Sequence, residues 1–253
     1  MGQIIAVVNQ KGGVGKTTTA VNLAAALTER GLRVLVCDFD PQANATSGFG
    51  IDKRRVKHTS YHMLIEEAAA FQTVVQTKFA DVIPSSADLA GAGVELIGME
   101  RRERQLRKGL ETLREQYDVI FIDCPPSLEM LTLNGLVAAD GILIPVQCEY
   151  YALEGLSDLM ATLRSVKRKL NPTLDIFGVI LTMFDGRTNF STQVAQEVRR
   201  HFPGKVFTTS IPRNVRLAEA PSHGLPITAY DRTSRGAVAY RELAEEVARK
   251  LRR

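Results

Sequence analysis

Seven short apolar runs constrain this chain most: residues 4–9 (IIAVVN), 33–39 (RVLVCDF), 81–85 (DVIPS), 118–124 (DVIFIDC), 141–147 (GILIPVQ), 176–183 (IFGVILTM) and 205–211 (KVFTTSI). They are apolar continuously rather than at alternate positions, so they read as strands buried on both faces, the pattern of a parallel sheet covered by helices. Helix-period segments separate them at about 16–30, 100–116, 152–170, 189–201 and 236–252. This rhythm predicts right-handed crossovers and an α/β fold, a doubly wound, mostly parallel central sheet flanked by helices. With 253 residues, 45% of them hydrophobic, and no repeat, low-complexity tract or linker, residues 1–253 are expected to form one domain. Residues 50–80 carry the weakest pattern. Their basic cluster, Lys53, Arg54, Arg55 and Lys57, follows a Gly-rich turn and is expected in a solvated loop or at the start of a helix.

Composition narrows the partners only mildly. A formal charge of +4 permits anionic partners such as nucleic acid without demanding them. Cys37, Cys124 and Cys148 lack the CxxC spacings of zinc or redox sites and suit a reducing cytosol, so no disulfide is expected. The opening MGQIIAVVNQ has no basic region followed by a long apolar core, so export is not expected, and Ala6 stands where a myristoylation signal wants Ser or Thr. No apolar run reaches the roughly 18 residues that would suggest a membrane span.

Residues 10–18, QKGGVGKTT, lie between the first expected strand and the first expected helix, the context a nucleotide-phosphate loop requires. Glycines let the backbone curl so that successive N–H groups converge on phosphate oxygens, and the helix that follows adds its positive N-terminal end. Lys16 would bridge the β- and γ-phosphates and the Thr17 hydroxyl would ligate Mg²⁺. The bland alternative is a Gly-rich turn that binds nothing. Phosphoryl transfer to water also needs carboxylates, and open α/β sheets bind ligands at the carboxyl ends of their strands. CDFDPQANATSG places Asp38 and Asp40 there, and FIDCPPS places Asp123 there, with a cap on the following turn as the bland alternative for Asp123.

The early lysine, Lys11, carries a resemblance. K-G-G-V-G-K-T-T resembles the deviant Walker A motif of the ParA/MinD group of P-loop ATPases, in which two protomers sandwich two ATP molecules. The segments DCPPSLEMLTLNGL, PVQCEYYALEGL, ILTMFDGRTN and SIPRNVRLAEAPSHGLPI resemble the chromosomal ParA/Soj subgroup, so the likeness covers nearly the full length. It implies a P-loop NTPase fold, with ATP and Mg²⁺ held by Lys11, Gly12, Gly13, Val14, Gly15, Lys16, Thr17 and Thr18, and with Lys11 acting across the dimer on its neighbour's phosphates. It further implies that Asp123 is the Walker B carboxylate, holding Mg²⁺ through a water. Asp40 would be the switch I aspartate that orients the attacking water, with Asp38 supporting that loop or the phosphate loop. Pro212 and Asn214 would meet the adenine, with ordinary turn chemistry as the alternative for both. The family commonly has glycine where this chain has Ala43.

The implied function is ATP-dependent partition of chromosome or plasmid DNA, in the cytoplasm and associated with the nucleoid. ATP would join two protomers into a homodimer that binds double-stranded DNA without sequence preference through Arg187 and Arg216. A ParB/Spo0J-like protein would stimulate hydrolysis and so release the DNA, and some relatives also act in replication initiation. The basic cluster Arg164, Lys167, Arg168 and Lys169 alternates with Leu163, Val166 and Leu170, which reads as an amphipathic helix with a wet face. A MinD-like membrane-positioning ATPase would need bulky apolar anchors on a C-terminal amphipathic helix. Instead Tyr240, Leu243, Val247 and Leu251 are interleaved with alanines and acids, as in a helix packed on a core, so no membrane partner is expected. An iron–sulfur role lacks cysteine-rich spacing, a scaffold with merely structural ATP would not need Asp40, and Tyr240 alone is not the tyrosine-rich tail of a kinase relative.

Overall fold

The structure, a computed structural model, describes residues 1–149 and 152–252. Tyr150 and Tyr151 of the PVQCEYYALEGL segment lie outside the described residues. The strands are β1 (Gln3–Val7), β2 (Val34–Asp38), β3 (Val75–Gln76), β4 (Asp81–Ile83), β5 (Val119–Asp123), β6 (Gly141–Gln147) and β7 (Asp175–Thr182). They form one sheet in the order β3-β4-β2-β5-β1-β6-β7, parallel throughout except for the β3–β4 pair. The helices are α1 (Lys16–Thr28), α2 (Asn44–Gly48), α3 (Ser60–Leu64), α4 (Ala70–Thr73), α5 (Ala92–Glu95), α6 (Gln105–Glu111), α7 (Met130–Ala138), α8 (Ala152–Lys169), α9 (Asn189–His201), α10 (Val215–Glu219), α11 (Ile227–Tyr230) and α12 (Arg235–Leu251). The doubly wound α/β architecture expected from the apolar runs is the one observed.

Strand side chains alternate between two cores. Ile4, Ala6, Leu35, Cys37, Ile120 and Ile122 face one, with α6, α7, α8 and α9. Ile5, Val7, Val34, Val36, Val119 and Phe121 face the other, with α1 and α12. Because both faces are covered, the strands need apolar residues at every position. On α12, Tyr240, Leu243 and Val247 are buried, and that stripe packs in the core shared with α1.

Several expectations need correction. Residues 205–211 run beside β7 without forming a strand: they meet it at an isolated bridge, Val206 with Val179, and at the Ile211 N–H, which donates to the Leu181 carbonyl at 2.8 Å, and a second isolated bridge, Pro212 with Phe184, lies just past the end of β7. The N–H groups of Thr208 and Thr209 turn away and donate to the Glu246 carboxylate of α12, at 2.9 and 2.8 Å, so no ladder forms between the bridges. The single helix expected over 100–116 is a 3₁₀ turn (Arg102–Arg104), α6 and a second 3₁₀ turn (Arg114–Gln116). Arg101, at φ 51°, ends any helix before it, and the Asn134 amide of α7 intervenes, accepting from the Leu106 N–H and donating to the Arg102 carbonyl. Within 50–80 the chain forms α3, α4 and the two-residue β3, elements too short to show a period.

Candidate nucleotide site at the carboxyl edge of the sheet

The register of the sheet assembles the candidate site. Asp38, last in β2, pairs with Asp123, last in β5, and Asp123 also pairs with Val7 of β1, after which the chain enters the glycine loop. Gly13 and Gly15 have φ values of 74° and 91°, the left-handed region that favours glycine. A Cβ at Gly12 or Gly13 would meet no atom within 4 Å, so open space borders the loop at both glycines and neither is there to avoid a clash. Gly15 is the N-cap of α1, and no side chain caps that end. The loop is tied down from outside: the Thr182 hydroxyl donates to the Val14 carbonyl at 2.8 Å, and Asn9 accepts from the Lys11 N–H while donating to the Pro145 carbonyl. Val14 itself is buried, which leaves its backbone as the part it can offer.

Lys16 is buried, and its ammonium donates to the Lys11 carbonyl at 3.3 Å. Burial pulls its pKa down, while the Asp123 and Asp40 charges pull it back up. The Lys11 ammonium instead pairs with Glu149 at 3.3 Å, and Glu149 also lies 3.9 Å from Arg213.

The three carboxylates behave differently. Asp38 accepts from both the N–H and the hydroxyl of Thr46, at 2.7 and 2.6 Å, and from the Asp40 N–H, so it is built into the start of α2. Burial raises its pKa to about 6 against the pull of those bonds. Asp40 accepts from the Gln42 N–H at 2.9 Å and, among the described residues, makes no other side-chain bond. Asp123 is fully buried, and among the described residues neither oxygen has a well-formed hydrogen bond, although the Thr17 hydroxyl faces it. Its pKa is driven well up by burial first and by the Asp38 charge second, with the Thr17 hydroxyl and Lys16 drawing it down. A buried carboxylate left without partners is costly unless a cation or donor completes it. This donor set fits a divalent cation shared with phosphates.

A cavity of about 400 Å³ opens beside the loop, lined by Gly15, Thr18, Met183, Pro212, Asn214 and Tyr240 among others. It adjoins a second hollow of about 490 Å³ under α2, which shares Thr18 and Leu217 with it and is lined by Thr17 as well. The Asn214 side-chain oxygen accepts from the Arg216 N–H, capping α10, which leaves its amide nitrogen and one oxygen lone pair for a ligand. Arg187 and Arg216 are exposed and both already paired. Arg187 makes a two-pronged contact with Asp185, at 2.9 and 2.7 Å, which lowers the Asp185 pKa to about 2. Arg216 pairs with Glu219 at 2.8 Å and approaches Asp231 at 3.6 Å.

Sequence reasoning passed over Asn9, Thr46, Thr182 and Glu149. Thr46 and Thr182 stand inside quoted segments, but their partners lie 8 and 168 residues away in the chain. No local pattern announces such a bond. All three cysteines are free and buried, and burial raises the thiol pKa of each.

A parallel sheet with a lysine-bearing glycine loop after its central β1, and carboxylates on the neighbouring strand ends, defines the class of P-loop nucleotide-binding proteins. Residues 2–176 match the AAA domain family. The chain is 56% identical to the sporulation initiation inhibitor protein Soj of Bacillus subtilis, over 98% of this chain and 99% of that protein. It is 50% identical to the chromosome partitioning protein ParA of Myxococcus xanthus, over 99% of this chain and 89% of that one. Among solved structures it resembles a cobyrinic acid a,c-diamide synthase from Mycobacterium smegmatis with bound ADP and magnesium, with a TM-score of 0.87 and 37% identity, over 100% of this chain and 96% of that chain. The chain belongs to the ParA/Soj family of chromosome-partitioning ATPases.

Proposed function

We propose that residues 1–253 act as one P-loop ATPase domain that binds and releases DNA as ATP is bound and hydrolysed. The observation that carries this reading is the fully buried Asp123, whose oxygens lack a well-formed hydrogen bond among the described residues, beside Lys16 and Thr17 and in register with Asp38. Backbone groups of Gly12, Gly13, Val14 and Gly15, with Lys16 and Thr18, hold the phosphates. Thr17 and, through a water, Asp123 would hold Mg²⁺. Mg²⁺ typically keeps several waters and takes few protein ligands, and among the described residues no group of three His, Cys, Asp or Glu could hold a metal alone. When bound, Mg²⁺ and ATP bring the scissile phosphoryl group and neutralise the charge that develops on it. Asp40, anchored through one oxygen, orients the attacking water. Pro212 and Asn214 contact the base in the 400 Å³ cavity.

Lys11 leaves Glu149 to meet the partner protomer's nucleotide, so the sandwich dimer is the hydrolytic form. Arg187 and Arg216 on two protomers bind duplex DNA together, without sequence preference. A ParB/Spo0J-like protein stimulates hydrolysis, the protein works in the cytoplasm on the nucleoid, and control of replication initiation is a further role in the same switch. Among the described residues no helix is long and apolar enough to cross a membrane. Lys11→Ala tests the trans role: the variant is expected to bind ATP as the wild type does, yet neither dimerise with ATP in light scattering nor hydrolyse it. Wild-type turnover by this variant refutes the assignment.

A further inference from the structure

Among the basic residues after α2, Lys53 differs from its neighbours. Arg54 and Arg55 pair locally with Asp52, at 3.3 and 3.6 Å. Lys53 instead reaches back to donate to the Gln42 carbonyl at 2.7 Å. That carbonyl belongs to the peptide group joining Gln42 to Ala43, whose N–H donates to the Asp40 carbonyl at 2.8 Å. The peptide is therefore pinned at both ends. One residue earlier, the Gln42 N–H is the single anchor of the Asp40 carboxylate among the described residues.

The pin has something to hold. Ala43 sits at φ 52° and ψ 42°, a left-handed conformation that is strained for a residue with a Cβ. Rotating the Gln42–Ala43 peptide by half a turn would return Ala43 to negative φ and would break both of its hydrogen bonds. Lys53 projects from a firm base for opposing that rotation. Gly50 and Ile51 donate to the Ser47 and Thr46 carbonyls, and Gly50, at φ 75°, lies so close to the Gly224 backbone that a Cβ would come within 2.9 Å of its carbonyl oxygen.

We infer that Lys53 is a positioning residue for hydrolysis: its ammonium clamps the Gln42–Ala43 peptide against the strain at Ala43 and so keeps the Asp40 carboxylate aimed. This rests on the reading of Asp40 as the group that orients water. Arg54 and Arg55 play no such part, since both pair locally with Asp52.

The test compares wild type, Lys53→Met, Lys53→Arg and the double variant Ala43→Gly/Lys53→Met, measuring ATP turnover with Mg²⁺ and, separately, affinity for a fluorescent ATP analogue. Lys53→Met is expected to lower kcat roughly three- to ten-fold, equivalent to about 0.6 to 1.4 kcal/mol, with nucleotide affinity unchanged. Lys53→Arg keeps a donor and restores turnover. Ala43→Gly restores it in the Met background, because glycine removes the strain that the clamp opposes. Unchanged kcat in Lys53→Met overturns the inference, and so does a loss that neither Arg nor the added glycine rescues. Asp40→Ala is run alongside: wild-type turnover in that variant defeats the underlying reading of Asp40 rather than the clamp.

Discussion

Neutralising Asp38 is predicted to stabilise the nucleotide-free protein at neutral pH and to do so much less in acid. Asp38 is fully buried beside Asp123, and burial lifts its pKa from the ordinary 3.8 to about 6. The sign is the reverse of the usual salt-bridged aspartate. Between about pH 4 and 6 the folded state holds a proton that the unfolded state has released, so stability falls as pH rises through that window and levels off above it. Across that window the penalty on the folded state grows from about 1 kcal/mol at pH 4.5 to about 3 kcal/mol at pH 7.5. Asp38→Asn removes this term, so its stability relative to wild type should rise by about 2 kcal/mol from pH 4.5 to 7.5. Any fixed cost of the amide, such as the weak 3.3 Å bond from the Asp40 N–H, cancels in that difference. Asp123, raised partly by the same charge, shifts in the same direction when Asp38 is neutralised. Urea unfolding of both proteins at the two pH values, without nucleotide or Mg²⁺, measures it. A difference that stays constant, or that is larger at pH 4.5, would refute the reasoning.

Two further outcomes follow from contacts around the site. Asp185→Asn keeps the turn oxygen that accepts the Arg187 N–H but frees its guanidinium, so DNA affinity with ATP should rise severalfold and fall more steeply with added salt in fluorescence anisotropy. Gly135→Ala would place a Cβ 2.7 Å from the Cys124 sulfur, directly after Asp123, and should cost about 1–3 kcal/mol in chemical denaturation.

The parts of the fold legible in the sequence were those with a long local signal. The apolar run 141–147 coincides with β6, and the period over 189–201 coincides with α9. The glycine loop and the strand-end positions of Asp38 and Asp123 were legible for the same reason, since each needs only a strand and its next few residues. What stayed hidden depends on partners distant in the chain. Thr208 and Thr209 look like strand residues until Glu246 takes their N–H groups. Residues 100–116 carry one helical period, yet the Asn134 amide meets the backbone at Arg102 and Leu106 and fixes a break there. Lys53 looked like one of four solvated charges, and only the path of the chain after α2 brings it to Gln42. Glu149 gave no signal at all, because its meaning is the ammonium of Lys11, 138 residues away.

The central claim is an ATP-controlled switch in DNA affinity, and the most direct measurement is duplex binding by Asp40→Ala with ATP or with ADP, at low and moderate salt, beside liposome flotation. The account predicts tight, salt-sensitive binding to DNA of arbitrary sequence with ATP alone, weakened when Arg187 and Arg216 are replaced. Equal binding with ADP, or liposome capture without DNA binding, would contradict it.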